Sequence, residues 1–358
     1  MADAMNGLQR VATAIVGYHD GAVPDKVPCA PLVCGAACRM SGQTYGEWSR
    51  GEDLDLWVDG HVDCMDLLGY DGMVMLMDLS VEPEAFGMPV IYPENDTAHP
   101  NYDDPWIGSP EEYGKIKKIN PRESGRMKFI IDATKKMAAR VGGTHAIVGF
   151  VYGCMGTLSM MRGPEAFFMD CIEHPEKVKE ACELLDEVLI DYSMAQLEAG
   201  CHSVCYDNLY CSESIASKAT WEKYEATGMN DWSKAVAGAG ALVTLHNCGN
   251  GIYFDKMIEH ASPHAISHAY VADDVDSWVE HKQKWGPKTC TIGWVAPGPI
   301  AMLGTPEEIE EECKAEIEIY GEGGGYILST GCEFGPNAPL LNAKRMVEAR
   351  DKYGVYNQ

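Results

Sequence analysis

The sequence predicts a (β/α)8 TIM barrel, an α/β fold, on three observations. Eight short apolar runs rich in strand-forming residues occur along the chain, at 27–33, 72–77, 146–152, 203–208, 241–248, 265–270, 289–295 and 325–330. Segments of helical period lie between them, such as 175–199 and 306–319, each with Pro and acidic residues in its first turn. Strands that alternate with helices pair in parallel, and eight of them are the number that closes a barrel.

A doubly wound sheet is the alternative α/β fold, and the first apolar run argues against it. Such sheets often carry a phosphate-binding G-x-G-x-x-G turn after the first strand, whereas residues 33–42 read "VCGAACRMSG". We therefore expect residues 1–358 to form a single barrel domain with an elaborated N-terminal region. The segment 79–125 is rich in Pro, Asp and aromatic residues and is too long for an ordinary connection. It is predicted to be an inserted lid over the mouth of the barrel.

Composition and charge narrow the classes of function. The chain carries 28 Lys and Arg against 54 Asp and Glu, a net charge of -26, which would repel nucleic acids and anionic membranes. The N-terminus has no signal-like pattern and no run of apolar residues is long enough to span a membrane, so a cytoplasmic location is expected. The 14 cysteines are then expected to be reduced thiols, most of them small buried residues and some of them metal ligands.

The stretch "LHNCGNG" at 245–251 places His246 and Cys248 on the same side of the predicted fifth strand, at its C-terminal end. The eighth strand ends in "ILSTGCEFGPN", so Cys332 would reach the same rim, where barrel enzymes have their active sites. One imidazole and two thiolates would form a zinc site with one position left open, which is typical of catalytic zinc. The alternative is chance proximity, because the chain has 11 His and 14 Cys.

Further rim residues are candidates for catalysis or substrate binding. Tyr206, Asp207 and Asn208 end the fourth strand, and a substrate contact is weighed there against a role in capping the loop. Tyr152 ends the third strand and Trp294 follows the seventh; both are candidate substrate contacts, and both would also serve as ordinary core residues.

The C-terminal half resembles the uroporphyrinogen decarboxylase superfamily. Within it, the chain is similar to the zinc-dependent methyltransferases that exchange a methyl group with a corrinoid protein, of which methylcobamide:coenzyme M methyltransferase is typical. Besides "LHNCGNG", the resemblance rests on residues 174–200 and 305–354, and it covers about 145–354. It implies zinc held by His246, Cys248 and Cys332, and a corrinoid (methylcobalamin or cob(I)alamin) carried by a partner protein. It also implies a small substrate, either a thiol such as coenzyme M or a methoxylated or methylated donor.

The N-terminal third departs from the family pattern. Decarboxylases of the superfamily carry two arginines in the first strand loop, whereas this chain has only Arg39 there. Asp78 falls where the decarboxylases place their catalytic aspartate, so a metal-independent decarboxylase remains the alternative function. The acidic fourth zinc ligand of some methyltransferases has no clear match, and His268, Tyr270 or Asp273 would have to replace it. The direction of transfer, the small substrate and a possible homo-oligomer stay open.

Overall fold

A curled parallel sheet organises residues 4–356, the part of the chain that this computed structural model describes. The nine strands are β1 (Gly72–Val74), β2 (Val90–Ile91), β3 (His99–Pro100), β4 (Ala146–Tyr152), β5 (Ser203–Asp207), β6 (Leu242–Asn247), β7 (Ala265–His268), β8 (Cys290–Ile292) and β9 (Tyr326–Ile327). Seven of them form the main sheet in the order β1-β4-β5-β6-β7-β8-β9, all in parallel. β2 and β3 form a separate antiparallel pair.

Helices connect the strands and cover the outside of the sheet. They are α1 (Gly7–Ile15), α2 (Cys38–Ser41), α3 (Tyr45–Arg50), α4 (Leu54–Leu68), α5 (Val81–Phe86), α6 (Gly125–Val141), α7 (Cys154–Arg162), α8 (Pro164–Glu173), α9 (Pro175–Ala199), α10 (Lys218–Tyr224), α11 (Ala226–Gly238), α12 (Phe254–Ala261), α13 (Trp278–Trp285), α14 (Pro306–Tyr320) and α15 (Leu340–Tyr353). Within residues 4–356, no helix combines the length and the apolarity that a membrane span requires.

The predicted α/β fold with a parallel sheet is confirmed, but the predicted first strand of the barrel is not a regular strand. Residues 27–33 contribute one parallel bridge, between Cys29 and Leu328 beside β9. On the other side, the Cys29 carbonyl accepts a hydrogen bond from the Asp71 N–H at 2.8 Å, next to β1. Pro28 has no N–H to extend the pairing with β9, and Pro31 has none to extend the pairing with β1.

Side chains alternate between the interior of the curled sheet and the helices outside it. On β5, Cys205 and Asp207 line the interior, whereas Tyr206 between them points outward and its hydroxyl donates to Glu225 Oε1 at 3.1 Å. The register places Asp207 beside His246 of β6, and His246 beside Ser267 of β7. The C-terminal ends of these strands therefore present a row of polar side chains at one rim.

Helix α1 closes the opposite end of the sheet. A capping box at Asn6 starts the helix, and the Leu8 N–H donates to the Thr144 carbonyl at 2.9 Å, just before β4. The buried Arg10 pairs with Asp71 at the start of β1 and with Asp25 at 2.7 Å. These contacts hold the apolar face of α1 against the N-terminal ends of the strands.

The segment 79–125 contains α5, β2, β3 and a 3₁₀ turn at Pro110–Lys115. It packs along the helices after β4, where the Tyr113 hydroxyl donates to Asp170 at 2.9 Å. It also reaches the loop after β9, where Asn337 donates to the Asn95 carbonyl at 2.9 Å. Its role as a lid stays a prediction.

Candidate metal centre

The turn after β6 brings Cys248 back to the rim immediately after His246. The Asn247 side chain shapes this turn, because its Oδ1 accepts a hydrogen bond from the Gly249 N–H at 2.8 Å. A Cβ at Gly249 would lie 2.3 Å from Ser212 Oγ, so only glycine allows the chain to pass this close. The small residues that follow the H-x-C pair are therefore part of what positions Cys248.

Cys332 lies in the loop after β9, and close packing places it beside the end of β7. The Gly331 N–H donates to the Val295 carbonyl at 3.0 Å. A Cβ at Gly331 would lie 2.8 Å from the Ala269 Cα, so this position also requires glycine. The loop thus carries Cys332 across β8 toward β6.

The three predicted ligands come together: the ligand atoms of His246, Cys248 and Cys332 all lie within 4.8 Å of one another. His246 is buried, and the two cysteines are half-buried. One ring nitrogen and two sulfur atoms are the donors of catalytic zinc sites of the Cys2His type, in which the fourth position is left for water or substrate. The residues present therefore fit a zinc ion.

Ser267 orients the imidazole of His246. Its Oγ shares a hydrogen bond with His246 Nδ1 at 3.0 Å, from the neighbouring strand β7. The other ring nitrogen, Nε2, is then the one left to bind a metal. Partners of this kind fix the ring orientation of metal-binding histidines and strengthen their metal affinity.

The two thiols are hydrogen-bonded to each other and differ in acidity. The hydrogen bond from Cys248 lowers the pKa of Cys332 well below its ordinary value against the opposing effect of burial, and His246 stabilises the same thiolate. The pKa of Cys248 is raised, first by the hydrogen bond to Cys332 and then by burial. Burial lowers the pKa of His246, but the hydrogen bond to Cys332 and the charge of Asp207 outweigh it, so the net shift is upward. Cys332 is therefore the more acidic of the two thiols.

Two carboxyl groups lie at the same end of the interior. Asp207 lines it beside His246, and burial raises the pKa of Asp207 to about 7. Its Oδ1 has no hydrogen-bond partner among the described residues. Glu333 follows Cys332, and burial raises its pKa to about 8; its Oε1 accepts a 3.4 Å hydrogen bond from the Tyr45 hydroxyl.

Tyr206 and Asn208, predicted at the end of β5, do not line the cavity, whereas Tyr152 of β4 packs beside the cavity residues Phe150 and Cys205. Tyr206 is buried against Trp232, with ring centroids 5.0 Å apart. Asn208 is buried, and its N–H donates to the His246 carbonyl at 3.0 Å, so it supports the strand end. Tyr152 is buried at the end of β4, where its N–H donates to Glu82 Oε1 at 3.0 Å.

His268 and Trp294 lie in an aromatic cluster outside the sheet. His268 Nδ1 donates to the Tyr270 carbonyl at 2.9 Å, and burial lowers its pKa to about 4. Trp294 stacks on Trp278 with ring centroids 3.6 Å apart. The backbone N–H of Trp294 donates to Glu316 Oε2 at 3.0 Å. Neither side chain is close enough to the three ligand atoms to join their cluster.

Asp78 and Arg39, the residues of the decarboxylase alternative, lie apart from the three ligands. Asp78 is buried after β1, where it pairs with Arg126 and accepts a hydrogen bond from the Ser80 N–H at 2.8 Å. Arg39 is exposed and donates to the Ala338 carbonyl at 2.6 Å.

Sequence reasoning missed Ser267 and Glu333. Ser267 could have been found from the alternation of "AISH", because Ile266 and His268 face the helices and leave Ser267 to face the interior. Glu333 had no comparable signal, since it lies in a loop whose path depends on packing.

The chain is similar to known proteins over most of its length. The family model described as uroporphyrinogen decarboxylase (URO-D) matches residues 12–353. The methylcobamide:CoM methyltransferase MtaA of Methanosarcina barkeri is 21% identical over 342 residues, 95% of this chain and 97% of that protein. A uroporphyrinogen decarboxylase of Pseudoalteromonas translucida is 22% identical, over 80% of this chain and 79% of that protein. The solved structure of a methyltransferase from Methanosarcina mazei has a TM-score of 0.81 at 20% identity, and covers 98% of this chain and 99% of that one.

Proposed function

The chain belongs to the uroporphyrinogen decarboxylase family, and we propose that within it the protein is a zinc-dependent methyltransferase. It would move a methyl group between a corrinoid carried by a partner protein and a small substrate, either a thiol such as coenzyme M or a methylated donor. The observation that carries this proposal is the cluster of His246, Cys248 and Cys332 at the rim of the sheet. The similarity to a methylcobamide:CoM methyltransferase over 95% of the chain supports it.

The donor set matches the chemistry that methyl transfer needs. Zinc bound by these residues would deprotonate a substrate thiol, or withdraw electrons from the heteroatom of a methylated substrate. In the thiol direction, a bond forms between the sulfur and the methyl carbon while the cobalt–carbon bond breaks, and its electron pair stays on the cobalt.

The chain's own residues would position these reactants. Ser267 holds the ring of His246 in one orientation. Asp207 lines the interior beside His246, where its carboxylate can accept the proton that a substrate thiol gives up. The corrinoid protein would dock over the same rim, because the cobalt must come within bonding distance of the substrate atom held there.

The first test is the metal content of the purified protein. We expect zinc in near-equimolar amount, and Cys332→Ala to lose it, because removal of one of three ligands costs more than the roughly 10–100-fold loss of affinity for an outer partner. Cys313→Ala is the matched control, since Cys313 is a buried cysteine of α14. Elemental analysis by mass spectrometry measures both. Full zinc in Cys332→Ala would show that this loop does not supply a ligand.

The second test is the reaction itself. Methylcobalamin mixed anaerobically with the protein and a thiol should lose its methyl group, which the change in the corrinoid absorption spectrum reports. Cob(I)alamin with a panel of methoxylated and methylated compounds tests the opposite direction. If neither free cobalamin nor any corrinoid protein reacts with any of the substrates, the proposed corrinoid partnership is contradicted.

A decarboxylase that needs no metal is the second candidate, and the similarity to uroporphyrinogen decarboxylases favours it. Its candidate residue Asp78 is buried against Arg126, and Asp78 is not among the side chains that line the interior. Zinc-free protein that releases carbon dioxide from a porphyrinogen would establish this function and exclude the first.

A further inference from the structure

The interior of the curled sheet holds a cavity of about 320 Å³. At the rim it is bounded by His246, Cys248 and Cys332, and at the opposite end by the apolar face of α1. This volume lies within the range of small-molecule binding sites. The cavity thus leads directly from the three ligands into the body of the protein.

The walls of the cavity are apolar. Its lining includes seven half-buried aliphatic residues from the strands and the loops that follow them: Val74, Leu76, Leu79, Val148, Leu209, Leu242 and Ile292. Phe150 and Cys205 line it beneath the rim, and Leu8, Val11 and Ile15 close its floor. The seven aliphatic residues are half-buried rather than fully buried because one side of each faces the cavity.

An open interior is a departure from the usual packing of such folds. Layers of large aliphatic side chains normally fill the centre of a parallel barrel. An unfilled apolar cavity lowers stability in proportion to its volume, and apolar cavities about half this size take up small apolar molecules. The space is therefore suited to an apolar guest rather than to water.

The charged groups around the cavity further restrict which small molecule can bind in it. Among the described residues that line it there is no Lys or Arg. The carboxyl groups of Asp207 and Glu333 lie at the rim end. The hydroxyls of Ser203 and Thr244 in the middle bond to each other at 2.7 Å. A sulfonate or carboxylate in the apolar part of this space would lose its hydration and meet no Lys or Arg side chain in return.

We propose that the small substrate of this protein has an uncharged hydrocarbon body that occupies this cavity. Its sulfur or oxygen atom would lie at the three rim ligands, and its chain or ring would extend toward α1. This inference rests on the proposed methyltransferase function, because it identifies the class of substrate for the same site. It distinguishes the protein from an enzyme for a short anionic thiol.

Binding can be measured without turnover or metal. The probes are methyl n-alkyl thioethers of increasing chain length, titrated calorimetrically against the metal-stripped protein. Affinity should rise about fourfold for each added methylene, as expected for burial of apolar surface, until the chain reaches α1. Length-matched methyl thioethers that end in a carboxylate should bind at least about tenfold more weakly.

Two substitutions, one on each of two opposite walls, place a larger side chain in the cavity and test whether the probes bind there. Val148→Phe on β4 and Ile292→Phe on β8 should each weaken binding of the longest probe by about tenfold or more, and shorten the optimal chain. Val279→Phe is the control, since Val279 is 51% exposed on α13 and should leave binding unchanged. Circular dichroism and thermal unfolding establish that the variants are folded.

Measurements on the wild-type protein alone would overturn the proposal if the affinity did not change with chain length. They would also overturn it if the carboxylate probes bound as tightly as the uncharged ones. Unchanged binding in both folded variants would also overturn it. These outcomes are separate from failure of the proposed function, which appears as missing zinc and inert corrinoid. Apolar binding in a protein without zinc would leave the cavity assignment intact and refute the methyltransferase.

Discussion

Two parts of the same rim use polar side chains in opposite ways. At the ends of β6 and β9, the donor atoms of His246, Cys248 and Cys332 face one another at the opening of the cavity. At the end of β1, Asp78 is fully buried, and Arg126 and the Ser80 N–H already satisfy it. Both groups occupy the position where barrel enzymes have catalytic residues.

The difference shows that position at a strand end does not by itself make a residue available for chemistry. Burial raises the pKa of Asp78, while the charge of Arg126 opposes that shift. Arg126 also pairs with Glu84 and donates to the Ser49 carbonyl at 3.1 Å, so it joins α6, α5 and α3. This group is a structural junction, whereas the three ligands form a site that can accept a partner.

The largest expected effect is a loss of folding stability when a substitution breaks the junction at Arg126. Arg126→Met should lower the free energy of unfolding by about 3–5 kcal/mol, because it leaves Asp78 buried without its partner. Arg140→Met is the control, since Arg140 forms an exposed pair with Asp59 and should cost less than about 1 kcal/mol. Urea unfolding measures both. A loss below about 1 kcal/mol for Arg126→Met would mean that Asp78 is free for catalysis.

The second expected effect is a change of folding stability with pH, caused by the buried Glu82 of α5. Burial raises the pKa of Glu82 to about 8, so the folded protein keeps a proton that the unfolded chain releases near its ordinary pKa of 4.5. The stability that this group contributes should therefore fall as the pH rises from about 4.5 to 8, by at most about 1.4 kcal/mol per unit.

Glu82→Gln should remove that part of the pH dependence, because an amide does not titrate. The exposed Glu165→Gln should leave the wild-type slope unchanged. Urea unfolding at pH 5 to 8 measures the slopes. Parallel curves for wild type and Glu82→Gln would show that this carboxyl is ionised in the folded protein.

The smallest expected effect is a loss of zinc affinity at the candidate metal centre. Ser267→Ala should reduce zinc affinity by about 10–100-fold and leave stability nearly unchanged, because it removes the hydrogen bond to His246 Nδ1 without removing a ligand. Competition with a zinc-binding dye measures the affinity. Ser267→Thr keeps the hydroxyl and should restore most of it. Equal zinc affinity in the alanine variant would show that the imidazole needs no support from β7.

The sequence alone determined most of the secondary structure pattern and predicted the three candidate ligands. Seven of the eight predicted runs contain strands, because short apolar runs rich in strand-forming residues are local properties of the chain. The H-x-C spacing and a cysteine after the last strand predicted three ligands at one rim, but the turn at Gly249 and the packing of Gly331 are what bring Cys248 and Cys332 to His246. The first run, 27–33, failed as a strand because Pro28 and Pro31 interrupt its hydrogen bonds, which the sequence displays but the apolar pattern ignores.

Only the tertiary structure decided which rim residues are available and what the interior contains. Arg126 neutralises Asp78 from α6, a contact between residues far apart in the chain that no local pattern specifies. Strand alternation puts Tyr206 and Asp207 on opposite faces, but the curling of the sheet decides that the face of Asp207 encloses the cavity. The cavity itself depends on the summed volumes of side chains from seven strands and α1. Packing of this kind is a property of the whole assembly, so it cannot be obtained from any single segment.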